Sequence, residues 1–133
     1  MPQPAHATEF FGKTYGEAMS LLVEARDYLA HREPIDRAAL VVEDRLRFCS
    51  ETMRLTSRLT QLMAWLLAQR AVYEGEISQQ RALDGHSALA ALDICMRDEA
   101  TEMLPQRLAS LLDRSRRLYV RVARLDELAR RLV

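Results

Sequence analysis

The residues of this chain whose types are able to do chemistry are scattered. His6, His31 and His86 each stand alone. A metal site in a helical bundle needs ligands one turn apart, as a His-x-x-x-His pair or a Glu-x-x-His set, and neither is present. Cys49 and Cys95 are far apart in sequence and match no metal spacing, so they read as free thiols in a reducing cytoplasm. Ser50 and Ser57 have no histidine at helical spacing to make either a nucleophile. No Gly-rich loop follows a strand to cradle a phosphate. An Arg-lined site inside a bundle is the remaining catalytic option, and no motif for one is present. The expectation is a protein that is not an enzyme and binds neither metal nor organic cofactor.

The chemistry that remains is recognition, and it centres on residues 51–78. Leu55, Leu59, Leu62 and Leu66 recur at helical steps, and Met53, Thr56, Thr60, Met63 and Leu67 form an adjacent row. Together they make one broad apolar face of a helix, roughly 140° wide at about 100° per residue. Trp65 and Val72 fall outside that arc, on the face of Arg54, Arg58 and Gln61. A Trp flanked by Arg is frequent hot-spot chemistry at protein contacts. Arg54, Arg58, Gln61, Trp65 and Gln69 are therefore the candidate protein-binding residues. The competing reading is that Trp65 packs under the connection formed by residues 78–104.

The elements that must position these residues follow from periodicity. A chain of 133 residues, 49% apolar, with four Gly and four Pro, is expected to form a single helical domain over 1–133. No apolar run approaches a membrane span, and the start lacks the pattern of a secretory signal. Residues 1–8 are expected to fray. Thr14-x-x-Glu17 reads as a capping box opening a first helix that ends near Ala30. Asp36 reads as the N-cap of a long second helix, and Gly75 as its stop. Ser78 reads as the cap of a short turn ending at Gly85, with another short helix over 88–96. Leu104-Pro105 restarts the chain. Leu108, Leu111, Ser115, Leu118, Val122, Leu125, Ala129 and Leu132 then alternate steps of three and four. No segment shows strand alternation. The predicted fold is all-α: an up-down-up bundle of three helices, with one or two short helices in the second connection.

Charge is balanced overall but polar in distribution. Residues 74–102 carry seven acids against Arg81 and Arg97, and residues 105–133 carry eight Arg against Asp113, Asp126 and Glu127. The acidic connection is expected to fold back beside the basic last helix. The alternative is a basic face for a partner, including DNA. Nucleic-acid binding is the runner-up, because no recognition motif or basic tail accompanies the arginines. Lys13 is the only lysine among nineteen basic residues, which points to genome composition rather than to function at single Arg positions.

Several stretches resemble the RcdA-like family of small alpha-proteobacterial proteins, regulators of CtrA degradation. They are Ser50-Glu51-x-Met53-Arg54-Leu55-Thr56-x-Arg58-Leu59, Gln61-Leu62-x-x-Trp65-Leu66-Leu67-x-Gln69-Arg70-Ala71 and Gly75-Glu76. A second match joins Leu104-Pro105 to Ser115-x-x-Leu118-Tyr119-x-Arg121-Val122-x-Arg124-Leu125-Asp126. The resemblance implies a three-helix bundle that forms a homodimer. It also implies a non-catalytic adaptor that helps deliver cell-cycle regulators, clients of the response-regulator type, to the ClpXP protease.

Overall fold

The computed structural model describes residues 5–97 and 101–133, with side chains described from Phe10 onward. Among the described residues every regular element is helical. The first helix, α1, spans Ala5–His31. It begins earlier than the capping-box pattern suggests. Thr14 lies inside the helix and donates its hydroxyl back to the Phe10 carbonyl at 2.9 Å. A Ser or Thr one turn from a free carbonyl makes this bond as readily as it caps an end. Of the residues expected to fray, 1–4 lie outside the described residues and the rest belong to α1. Tertiary contact extends the helix: Phe11 stacks edge-on against Tyr73 at 5.0 Å between ring centres.

Asp36 does not open the long helix. It sits within a short helix, α2, Glu33–Ala38, with Pro34 in the first turn. There it accepts from the Tyr28 hydroxyl at 2.8 Å and from Arg32 Nε at 3.1 Å. The chain breaks after α2, and Arg45 folds back onto the carbonyls of Arg37, Ala38 and Leu40. The long helix α3 spans Val42–Tyr73, roughly 48 Å at about 1.5 Å per residue. Gly75 ends it as expected, with φ of 77°. The Glu76 amide donates to Ala71 and the Gly75 amide to Val72, the paired closing bonds of a Schellman turn.

The connection then forms α4, Gln79–Asp84, a 3₁₀ turn at Leu89–Ala91 and α5, Asp93–Met96. Ser78 caps α4, accepting from the Arg81 amide at 3.1 Å. The last helix, α6, spans Gln106–Arg131 and buries the expected stripe from Leu108 through Val122, beyond which Leu125 and Ala129 are half-buried and Leu132 is exposed. It also buries Leu112, Tyr119, Ala123 and Asp126, so it packs on two sides.

Residue pairings fix the helix directions and correct the up-down-up expectation. Glu17 pairs with Arg121, Glu24 with Arg114, and Arg107 covers the Tyr28 ring, so α6 runs antiparallel to α1. Phe11 meets Tyr73 and Tyr15 meets Arg70, so α3 also runs antiparallel to α1. Arg58 meets Ser115 and Trp65 meets Asp126, so α3 and α6 are parallel. Two consecutive long helices can be parallel only if the chain between them travels the length of the bundle. Residues 74–105 make that return, packed against both α3 and α6. A short loop would have sufficed for an up-down-up bundle, and the length of this connection is the physical sign of a crossover.

Candidate functional site

The crossover is held by side chains that reach it from the two parallel helices. A connection that runs without continuous helix exposes carbonyls and amides, and each one buried needs a partner. Arg58, 1% exposed, is the largest of these clips. Its Nε donates to the Cys95 carbonyl at 2.9 Å and its Nη2 to Arg97 at 3.2 Å. Its Nη1 donates to the Leu112 carbonyl at 2.9 Å and to Ser115 Oγ at 3.1 Å, tying α3, α5 and α6 together. Burial pulls the Arg58 guanidinium down to about 10, and the neighbouring charge of Arg54 adds to this. One turn earlier Arg54 pairs with Glu51 at 3.0 Å and donates to the Ile94 carbonyl at 3.0 Å.

A second clip is built on Asp126, which is fully buried. Its Oδ1 accepts from Trp65 Nε1 at 2.9 Å and its Oδ2 from the Leu89 amide at 3.0 Å. Arg130, one turn on, neutralises the carboxylate at 3.0 Å and donates to the His86 carbonyl at 2.9 Å. Tyr119 donates to the Leu89 carbonyl at 2.8 Å, so both polar groups of Leu89 are satisfied from α6. Burial pushes the Tyr119 phenol well above its usual range, and it also raises the Cys95 thiol. The acidic connection thus lies beside α6 as its charge suggested. Among the described residues, however, these clips grip main-chain groups rather than its carboxylates.

The five residues expected to bind a protein are placed accordingly. Arg54, Arg58, Trp65 and Gln69 are buried within the chain, and Gln61 is half-buried. Arg54, Arg58 and Trp65 donate to internal partners, so in the single chain they position the crossover. Most of the second apolar row is turned outward: Met53 is 68% and Leu67 50% exposed, with Thr56 and Thr60 exposed between them, while Met63 is half-buried against the core. Two uncharged surfaces that face outward involve these helices. One is that row on α3. The other is a groove of about 600 Å³ at the end of the bundle, with Trp65, Leu66 and Gln69 among its lining and Phe10, Leu125 and Leu128 around them.

Sequence reasoning named Asp126, Tyr119 and Glu51 as matches to the family and gave them no role in a site. Asp126 had a legible signal: it follows Leu118 and Val122 at steps of four, a lone acid on a buried stripe. Among the described residues no cluster of three His, Cys, Asp or Glu is placed to hold a metal, and no helix is long and apolar enough to cross a membrane.

Fold and site together define a class: a crossover bundle, with only helical elements among its described residues, whose buried polar interactions serve its own architecture and which presents uncharged patches among its exposed charged groups. The chain belongs to the family described as "Protein of unknown function (DUF1465)", which matches residues 3–132, and within it to the RcdA-like proteins of alpha-proteobacteria. Among solved structures it is similar to the crystal structure of RcdA from Caulobacter crescentus CB15. The two are 39% identical with a TM-score of 0.70, over 90% of this chain and 89% of that one. No curated protein matches this chain.

Proposed function

We propose that this protein is a non-catalytic adaptor in regulated proteolysis, acting in the cytoplasm as a homodimer. Its partners in this reading are the ClpXP protease and clients of the response-regulator type. The observation that carries the reading is the likeness to RcdA, a regulator of CtrA degradation, at 39% identity over nine-tenths of the chain. An adaptor works by holding two proteins together, which raises their effective concentration without new chemistry. The geometry supports this through its uncharged, outward-facing surfaces.

Protein binding is assigned to the surfaces that the five signature residues back rather than to those side chains alone. Trp65 and Gln69 line the end groove. Arg54 and Arg58, by fixing the crossover, leave the opposite row of α3 as the face for a second subunit. A row of Met53, Thr56, Thr60 and Leu67 is apolar enough to be covered in an assembly. The DNA reading has less support, because Arg114, Arg117, Arg121 and Arg130 of α6 are each paired with a carboxylate.

Two measurements test the proposal. Met53→Glu with Leu67→Glu is expected to give a monomer by sedimentation at an unchanged melting temperature. Affinity capture from the native cell is expected to recover the protease and response regulators. Unchanged dimer mass in the first, or recovery of DNA-associated proteins in the second, would sink the corresponding half.

A further inference from the structure

The groove at the end of the bundle combines features that hydrocarbon packing alone does not explain. Its lining carries no charged side chain, yet it holds two carboxamides, Gln69 and Gln79. The Gln79 Oε1 is buried without a hydrogen-bond partner. Gln69 is only 6% exposed and lines the groove beside it. A buried acceptor left unpaired is costly, whereas one that meets a ligand donor is not. At the rim Leu128 is 53% and Leu132 87% exposed, so an apolar surface continues outward. The volume, about 600 Å³, lies within the usual range for a specific ligand site.

We infer that this groove seats an uncharged peptide segment of a partner protein. One large apolar side chain enters among Phe10, Trp65 and Leu125, and its main-chain amide group meets Gln79 and Gln69. The absence of charge in the lining excludes an acidic or basic segment, because such a residue would lose its hydration without a counter-ion. A fatty acyl chain would fill the apolar volume but offers no donor, and would leave the Gln79 acceptor unpaired. A peptide supplies both parts: an apolar side chain, and an N–H beside it. The inference rests on reading the protein as an interaction module, and it adds the chemistry of what is recognised.

Trp65 is the only tryptophan and lines the groove, so its fluorescence reports occupancy. The purified chain is titrated with an N-acetylated, C-amidated peptide of Ala and Gln carrying a single Phe. Three control ligands accompany it: the same peptide N-methylated at the Phe amide, the same peptide with Glu replacing Phe, and dodecanoate. The expected result is a saturable shift in Trp65 emission with the first peptide. N-methylation should weaken binding about tenfold, the loss of one hydrogen bond to a buried acceptor, and the Glu peptide should not bind. Gln79→Leu should erase the preference for the unmethylated peptide. Leu128→Glu should weaken binding without lowering the melting temperature. No shift at millimolar peptide, equal binding of the methylated form, or tighter binding of dodecanoate would overturn the inference. These titrations contain no protease or client. Peptide binding with failed native-cell capture would sink the adaptor role alone, and successful capture with no peptide binding would sink the groove alone.

Discussion

Along its α1 side, helix α6 is joined by carboxylate–guanidinium pairs that water reaches. Glu17 meets Arg121, and Glu24 meets Arg114 at 2.6 Å with both side chains more than two-fifths exposed. The hydrogen bond from Arg114 holds the Glu24 carboxyl below its ordinary value. Along its α3 side, α6 is joined both directly and through the crossover, and the charged groups there are out of water. Asp126 and Arg58 are almost wholly buried and are hydrogen-bonded to main-chain groups of the connection. Similar residue types thus have different roles in the two seams. A solvated pair can be lost at little cost, because water replaces the partner. A buried clip cannot, because its loss leaves several groups unpaired at once.

The largest effect is expected at Asp126. Asp126→Ala leaves Trp65 Nε1, the Leu89 amide and Arg130 without their acceptor. Removing one member of a buried charged network typically costs about 3–5 kcal/mol. Urea unfolding that showed less than about 1 kcal/mol would place Asp126 in the same category as the solvated pairs. Arg58→Met comes next. It keeps the aliphatic stem but removes the guanidinium bonds to the Cys95, Arg97 and Leu112 carbonyls, of which Leu112 retains the Ser115 hydroxyl. Each carbonyl left dry costs roughly 1–3 kcal/mol, less where water enters. The crossover should open locally, so trypsin is expected to cut native protein at Arg81 or Arg97 faster than in the parent. Unchanged digestion would mean that the crossover holds without this clip.

Alkaline pH probes the same seam more gently. The folded-state pKa values of the Cys95 thiol and the Tyr119 phenol are raised above ordinary values of 9.0 and 10.0, chiefly by burial. A raised value means that the folded state holds its proton more tightly than the unfolded chain. That contribution is complete below the unfolded values and is lost as pH rises from them through the raised folded values. Stability should therefore decline from about pH 9 upward, together with protection of the Leu89 amide from hydrogen exchange. A flat profile to pH 11 would refute it. The smallest effect belongs to the other seam. A double-mutant cycle on Glu24→Ala and Arg114→Ala is expected to give a coupling below about 1 kcal/mol that falls with added salt. A salt-insensitive coupling of several kcal/mol would erase the contrast between the seams.

These contrasts explain what was legible in the sequence. The stripe from Leu108 to Val122 was readable because every position on it is apolar or small and no alternative face competes. On α3 two adjacent apolar rows were expected to form one buried face. Leu55, Leu59, Leu62 and Leu66 are buried as expected, whereas Met53, Thr56, Thr60 and Leu67 of the other row are exposed and Met63 is half-buried. The face with Arg54, Arg58 and Trp65 is buried instead, because its neighbour is a crossover whose carbonyls need donors. Polarity that pairs with a buried main chain cannot be told from surface polarity by periodicity alone. Thr14 and Asp36 failed differently: each has a residue type suited to a cap, and tertiary packing gave each another partner. The end groove left no trace in the sequence, because its lining comes from α1, α3, α4 and α6 at once.

The parallel pairing of α3 with α6 also constrains the order in which the molecule can form. During synthesis α1 and α3 emerge first and can meet through Phe11 and Tyr73. Leu55, Leu62 and Leu66, which are fully buried in the finished protein, then still lack α6. Asp126 arrives 61 residues after the Trp65 it binds, and Arg121 arrives 104 residues after Glu17. Contacts separated this widely in sequence slow folding, because the intervening chain must be ordered before they form. The nascent α1–α3 hairpin therefore passes through an interval with an open apolar seam, during which it is a substrate for chaperones and for aggregation.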